Sequence, residues 1–375
     1  MKKSFLHLAA FFAFFVVIAA ACRKTDRGRP ERPAEGNEIL VAPYPDSDNG
    51  ELLILDSSGN IIKDQKLNRA ALNFKRWDIN GDIRYSYFQY DPSYTIPVLG
   101  TALGDIVITD ASLNEIKRVR LQPFNGRTPD DPTAIDGHDF ILIDDDHYMV
   151  MTYYLQTVNN IPPELAPLDN TRVLADIIQE VKNGEVVWEW NSTDHPEFYG
   201  TTVESNYSDT SIQNYMHLNS IFIDPRDNNI ICSMRNQDQV VKIDRKTGDV
   251  IWRLGGKKSD FPMTPDMYFL RQHHATLVDN NQTLLLYDNG EINQRPYSRV
   301  LEFKLDEAGK TITGFKAFTL PDSTFSQFMG SVQKRGDTYF VGCGSEPKFM
   351  EVNYNTGEIV FQKELTSPSY RAFKY

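Results

Sequence analysis

The strongest constraint on the fold is a strand–turn–strand unit that recurs six times, at residues 52–66, 105–121, 173–190, 240–254, 299–318 and 349–365. Glycine-bearing turns mark five of them: Ser58-Gly59-Asn60, Asn183-Gly184, Thr247-Gly248, Ala308-Gly309 and Thr356-Gly357. Short runs of Ile, Val and Leu between Asp, Asn and Gly clusters are hairpin signals. A second hairpin precedes most of these units, at 77–90, 139–155, 218–234, 275–289 and 330–342. Residues 215–256 show the two hairpins run together as four consecutive antiparallel strands. Such a unit cannot bury both of its faces alone, so its copies must stack on one another.

These units predict an all-β chain, a six-bladed β-propeller over residues 38–375. The first blade is short of a strand, because only residues 38–42 precede its outer hairpin. The alternating stretch 370–375 is predicted to supply the missing strand and close the ring. Closure removes the open edges on which strands of other chains would pair.

Residues 1–21 read as a leader: Lys2-Lys3, an apolar run over 8–21, and small residues at 19–21 directly before Cys22. That is the shape of a secretory signal peptide, and the run is short for a membrane span. A Cys directly after small residues resembles the bacterial lipobox, in which Cys22 would carry lipid and tether the protein to a membrane without spanning it. Residues 22–37, rich in charge, Pro and Gly, read as a flexible tether. The expected location is therefore the bacterial cell envelope, periplasmic and lipid-anchored. Cys232 and Cys343 fall in different repeats, so a disulfide between them is possible but not inferable. The formal net charge is −12, and no basic stripe is present. This argues against nucleic-acid binding, which depends on cations that displace the phosphate counterions. An anion would have to be held by a local cluster of Arg and His.

Such a cluster is visible in the repeats. The inner strands of blades three, four and five each begin next to a histidine: His138, His217 and His273. Blades two and six carry none there, so duplication alone explains the pattern poorly. A lone histidine at a strand start is usually a structural hydrogen-bonder, but three at equivalent places imply a shared site where the long aromatic loops gather over the channel. His147 belongs to an acidic turn and is expected to be solvated, and His195 reads as a loop staple. A zinc site of three His matches the residue types, although no His-x-His spacing is present and Arg235 would repel the metal.

At this point the residues resemble a known family. Gly137-His138-Asp139, His217-Leu218-Asn219-Ser220, Ser233-Met234-Arg235, Ile243-Asp244, Thr247-Gly248-x-x-x-Trp252, Gln272-His273, Asp288-Asn289-Gly290 and Ser369-Tyr370-Arg371-Ala372 are similar to motifs of the PAPS-independent bacterial arylsulfate sulfotransferases. The resemblance covers most of residues 100–375. It implies a transiently sulfated His273, with His138, His217 and Arg235 holding the sulfate group. Tyr215, Asn219, His274 and Arg371 are the further expected substrate contacts. The family commonly has Asp after the nucleophilic His; here that residue is His274, which leaves both members of the pair as candidates for attack. The implied partners are a small aryl sulfate donor and a phenol acceptor, with no cofactor, no metal and no nucleic acid. An oligomeric state is not carried over.

Three other readings compete. One is a noncatalytic ligand-binding propeller. The second is a metal-dependent hydrolase or lyase using the three His. The third, a quinone-dependent dehydrogenase, is suggested by Thr247-Gly248-x-x-x-Trp252 and opposed by the short chain and the lack of a calcium-ligand cluster.

Overall fold

The computed structural model describes residues 38–375 except 95, 97, 99–101 and 127–132. The leader, the tether and Cys22 lie outside the described residues. Six antiparallel sheets form the blades, and five of them are four-stranded. Blade four follows chain order: Leu218–Ile223, Ile230–Met234, Gln239–Ile243 and Val250–Gly255. Its first three strands are almost wholly buried, because neighbouring blades cover both faces. Outermost strands alternate instead. Ile359–Glu364 switches between half-buried and exposed at every residue, the period-2 pattern of a strand with one wet face.

The ring closes as the sequence predicts. Ser369–Lys374 pairs antiparallel with Ile39–Pro43, with Leu40 opposite Phe373 and Val41 opposite Ala372. Blade one is thus built from both ends of the propeller.

Indoles staple successive blades. Trp190 donates from Nε1 to the Gly248 carbonyl of blade four (3.2 Å), and Trp252 donates to Glu307 of blade five (2.9 Å). A buried indole N–H needs an acceptor, and here each one is found on the next repeat. The tryptophan of the Thr-Gly-x-x-x-Trp segment therefore has a structural role. His195 stacks on Trp190 with ring centroids 4.9 Å apart, the expected loop staple. His147 differs from its expectation: it is paired with Glu180, which also binds Arg245 of the next blade. The hairpin of His147–Val158 and Thr171–Lys182 sets His147 opposite Lys182, close to a carboxylate that local sequence does not reveal. Cys232 and Cys343 are both buried and free.

Blade two carries one extra strand that matters for the site. Its outer strand Glu115–Val119 pairs only as far as Ile106, and the two-residue strand Ile135–Asp136 takes the vacant place beside Leu103 and Gly104. Gly104 is required there, since a Cβ would lie 1.9 Å from the Gln89 carbonyl oxygen. This pairing delivers Asp136, and after it His138, to the ring axis.

Candidate active site

A cavity of about 530 Å³ lies on the axis, and every blade contributes to its wall. Tyr44 comes from blade one, Leu72, Ala102 and Asp136 from blade two, and Gly137 and His138 from the lead-in to blade three. Blade four gives His217 and Arg235, blade five His273, the start of blade six Phe328 and Met329, and the closing strand Tyr370. His138, His217, Arg235 and His273 are thus brought together, although 135 residues separate the first from the last. The His138 and His217 rings meet edge to face at 5.0 Å. One side of the cavity is imidazole and guanidinium; Tyr44, Leu72, Ala102, Phe328 and Met329 supply an apolar wall.

The ring nitrogens have distinct partners. Asn289 donates both amide hydrogens, to the Ser326 and Met329 carbonyls at 2.8 Å each, so its Oδ1 must face His273. His273 Nδ1 lies 2.7 Å from that oxygen and 3.0 Å from the Arg271 carbonyl. Two acceptors and no donor leave Nδ1 protonated, and the lone pair belongs to Nε2. Burial, reinforced by the Arg235 charge, holds His273 well below the usual histidine value, against the opposing hydrogen bond to Asn289. His217 is lowered by burial and by His138 and Arg235 nearby. The Asn214 amide lies 2.9 Å from His217 Nδ1 and orients that ring. His138 Nδ1 sits 2.7 and 2.8 Å from the two oxygens of Asp136.

Gln272 explains the Gln-His step. Its amide donates to Ser233 Oγ, the Met234 carbonyl and the Gln239 carbonyl, fastening the start of blade five to the segment that carries Arg235. The nucleophile candidate and the cation are thereby set in register. Arg235 Nη1 donates to Asn236 Oδ1 at 2.8 Å, and its guanidinium lies over the Phe328 ring.

The four residues expected as further substrate contacts lie behind the wall, and none of them lines the cavity. Tyr215 anchors the 191–215 loop through its hydroxyl, which donates to Ser192 Oγ at 2.6 Å. Asn219 donates to the Gln272 carbonyl. His274, in left-handed backbone at φ 52, accepts from the Val332 N–H and packs on Phe373. Arg371 is fully buried below the cavity, paired with Asp139. For His274 and Arg371 the reason is strand alternation: each directly follows a cavity-lining residue, and neighbouring residues point to opposite faces. The closing segment does reach the cavity, but through Tyr370, whose ring meets His138 edge-on at 5.5 Å. Asp136, Asn289, Tyr370, Arg271 and Glu204 went unassigned in the sequence. Asp136 and Arg271 each had a local signal, a place two residues before a site histidine, and Asn289 and Tyr370 stand inside the motifs quoted above. Among the described residues, no group of three His, Cys, Asp or Glu side chains is arranged to hold a metal ion.

The buried imidazoles make acid stability testable. His217, His273 and His274 are neutral in the fold, whereas an unfolded chain protonates them near about pH 6.5. Acidification below that value loads protons onto the unfolded chain only, which destabilises the fold. Asp176 and Asp238, pushed by burial up to about 8 and about 6, act in the opposite sense. Three groups outweigh two below pH 6, and only Asp176 acts between about 7 and 8. Melting temperature should therefore peak near pH 6.5 and fall on both sides. Thermal melts from pH 5 to 8 check this, and a melting temperature that rises below pH 6 would contradict neutral buried imidazoles.

The fold and site define a β-propeller whose axial cavity sets imidazoles and a guanidinium against an apolar wall, a lining suited to a small anion. Residues 60–375 match the family model of the arylsulfotransferases (ASST), and the chain belongs to that family. A curated relative is the arylsulfate sulfotransferase AssT of Escherichia coli O6:H1 (strain CFT073), 26% identical over 206 residues. That match takes in 41% of this chain and 33% of the relative, so the chain spans about a third of that protein's length. Among solved structures, the Cps50 (Swd1) β-propeller domain of Myceliophteria thermophila is similar at 8% identity and a TM-score of 0.46, covering 90% of this chain and 88% of that one. A protein of unknown function from Bacteroides caccae has 12% identity and a TM-score of 0.46, covering 91% and 98%.

Proposed function

We propose that the protein transfers a sulfuryl group from an aryl sulfate ester to a phenol, in two steps through a sulfated His273. The observation that carries this reading is the fixed tautomer of His273: Asn289 claims Nδ1 as a donor, leaving Nε2 as a nucleophile in the cavity shared with Arg235. Family membership and the name of the E. coli relative support the substrate class.

Sulfuryl transfer resembles phosphoryl transfer, with charge on the peripheral oxygens and on the leaving oxygen. Catalysis of that kind needs position and electrostatics more than covalent help. His273 Nε2 attacks sulfur; the N–S bond forms, the S–O bond to the aryl group breaks, and its electron pair leaves as phenolate. The Arg235 fork suits two sulfate oxygens. His138, backed by the Asp136 carboxylate, supplies a proton to the leaving phenolate. The acceptor phenol returns that proton to His138 as its oxygen attacks sulfur, and the N–S pair goes back to Nε2. Tyr44, Leu72, Phe328 and Met329 hold the aryl ring. No nucleotide or metal takes part in these steps.

The test is phenol release from a nitrophenyl or methylumbelliferyl sulfate in the presence of a phenol acceptor. Parallel lines in double-reciprocal plots are expected, and no release from any aryl sulfate would end the reading. The leader and Cys22 support a lipid-anchored place in the bacterial cell envelope. Cys22→Ser should move the protein from the membrane to the soluble fraction, and an unchanged distribution would refute the anchor.

A further inference from the structure

Among the described residues, five charged side chains line the cavity: Asp136, Glu204, Arg235, Arg271 and Glu291. The steps above use Asp136 on His138 and Arg235 on sulfate. Arg271 and Glu204 have no part in them, yet they meet at the mouth. Glu204 Oε1 lies 2.7 Å from Arg271 Nη1 and 3.5 Å from Arg235 Nη1, so one carboxylate serves two guanidiniums.

Both ends of this contact are held. Arg271 is a non-glycine residue in left-handed backbone, at φ 57. Its N–H donates to Asp238 Oδ1 at 2.7 Å, and its carbonyl accepts from His273 Nδ1 at 3.0 Å. The second cation is therefore tied to the backbone that positions the nucleophile. Glu204 stands on a loop pinned by the Val203 N–H to the Asn236 carbonyl, by the Glu204 N–H to Thr202 Oγ1, and by Lys257 to the Thr202 carbonyl. Its carboxylate is the most exposed member of the trio, 38% against 13% for Arg235 and 15% for Arg271. Partly exposed ion pairs add little to stability, so stability gives a weak reason to build this one. Charge in the cavity gives a stronger one: with Glu204 in place, Arg271 is cancelled and, among the described residues, Arg235 is the one guanidinium left for a ligand. Glu291, whose carboxylate accepts the Asn293 N–H at 3.0 Å, adds negative charge to the same wall.

We propose that the Arg271–Glu204 pair is a specificity element that sets the ligand charge at one: singly charged aryl sulfates are accepted, and those with a second anionic group on the ring are rejected. The inference rests on reading the cavity as an aryl sulfate site. Like charges brought together in a desolvated site cost far more than exposed pairs gain, so Glu204 acts chiefly through repulsion, which is how discrimination is commonly built. Removing that carboxylate frees Arg271 and turns the mouth into a second anionic subsite.

The experiment is calorimetric titration with arylsulfonates, which carry the sulfate-like head but cannot transfer it. Benzenesulfonate supplies one charge; meta- and para-sulfobenzoate supply two. The wild type should bind benzenesulfonate more tightly than either sulfobenzoate. Glu204→Gln should reverse that order, with a gain of roughly tenfold for at least one sulfobenzoate, and Glu204→Gln with Arg271→Met should lose the gain. Three results overturn the proposal: equal gains for both charge classes in Glu204→Gln, a wild type that already prefers the dianions, or no arylsulfonate binding at all. Because the titration needs no turnover, the expected order with no phenol release would sink the transfer reading alone. Phenol release with an unchanged order would sink the charge rule alone.

Discussion

Replacing His273 with alanine should abolish phenol release, a loss of roughly 10⁴-fold or more in kcat, as expected when a nucleophile is removed. The other two rings hold different parts: His217 Nδ1 faces the Asn214 amide donor, which places its ring proton on Nε2, and His138, paired with Asp136, carries the proton for the leaving phenolate. His274→Ala is the matched control, because that ring faces Val332 and Phe373 rather than the cavity. It should keep most of the activity. Asn289→Ala should fall between the two, at roughly 10²–10⁴-fold in kcat with little change in KM, since a freed imidazole can adopt the wrong tautomer. Intact-mass measurement after mixing with donor alone should show one added sulfuryl group on the wild type and none on His273→Ala. Turnover retained in His273→Ala but lost in His274→Ala would transfer the nucleophile to the neighbour.

Much of this arrangement was legible in the sequence, and the limits have physical causes. Turn chemistry at Gly59, Gly184, Gly248 and Gly357, with a strand missing at one end and spare at the other, was enough to count blades and close the ring. Stacked repeats put equivalent positions at equivalent places, so His138, His217 and His273 could be expected to converge before any coordinates. The misses come from register and from loops. In the closing strand the choice fell on Arg371, yet Tyr370 faces the cavity, because one residue along a strand reverses the side chain. Asp136 arrives on a two-residue strand too short to carry a period. Glu204 and Arg271 lie on separate loops that only the ring brings together. His147 looked solvated because its partner Glu180 lies across a long hairpin and not along the turn.

Beneath the cavity the axis is filled by charge, and this is where the largest effect on stability is expected. Asp139 pairs with Lys75 and, at 3.2 Å, with Arg371, and its other oxygen accepts the Ile221 N–H at 3.1 Å. Side-chain exposures are 3%, 13% and 0% for Asp139, Lys75 and Arg371, so water cannot replace a missing partner. Burial works against the Asp139 charge, but Arg371 and Lys75 together hold the carboxyl well below its usual range. Asp139→Ala would strand two buried cations and should cost roughly 3–5 kcal/mol, as for other broken buried pairs. That is a large part of the roughly 5–15 kcal/mol that holds a typical domain. The damage should also reach the site, because Asn73 donates to the His138 carbonyl and accepts from Arg371. Replacing all three charges with apolar residues of similar size, as Lys75→Met, Asp139→Leu and Arg371→Met, should recover most of the lost stability. A buried ion cluster is often no more stabilising than a packed apolar one. Urea unfolding of the wild type, Asp139→Ala and the triple variant checks both halves. A cost under about 1 kcal/mol, the range of surface pairs, would mean that the axis is wet and that the cluster is not the floor on which His138 rests.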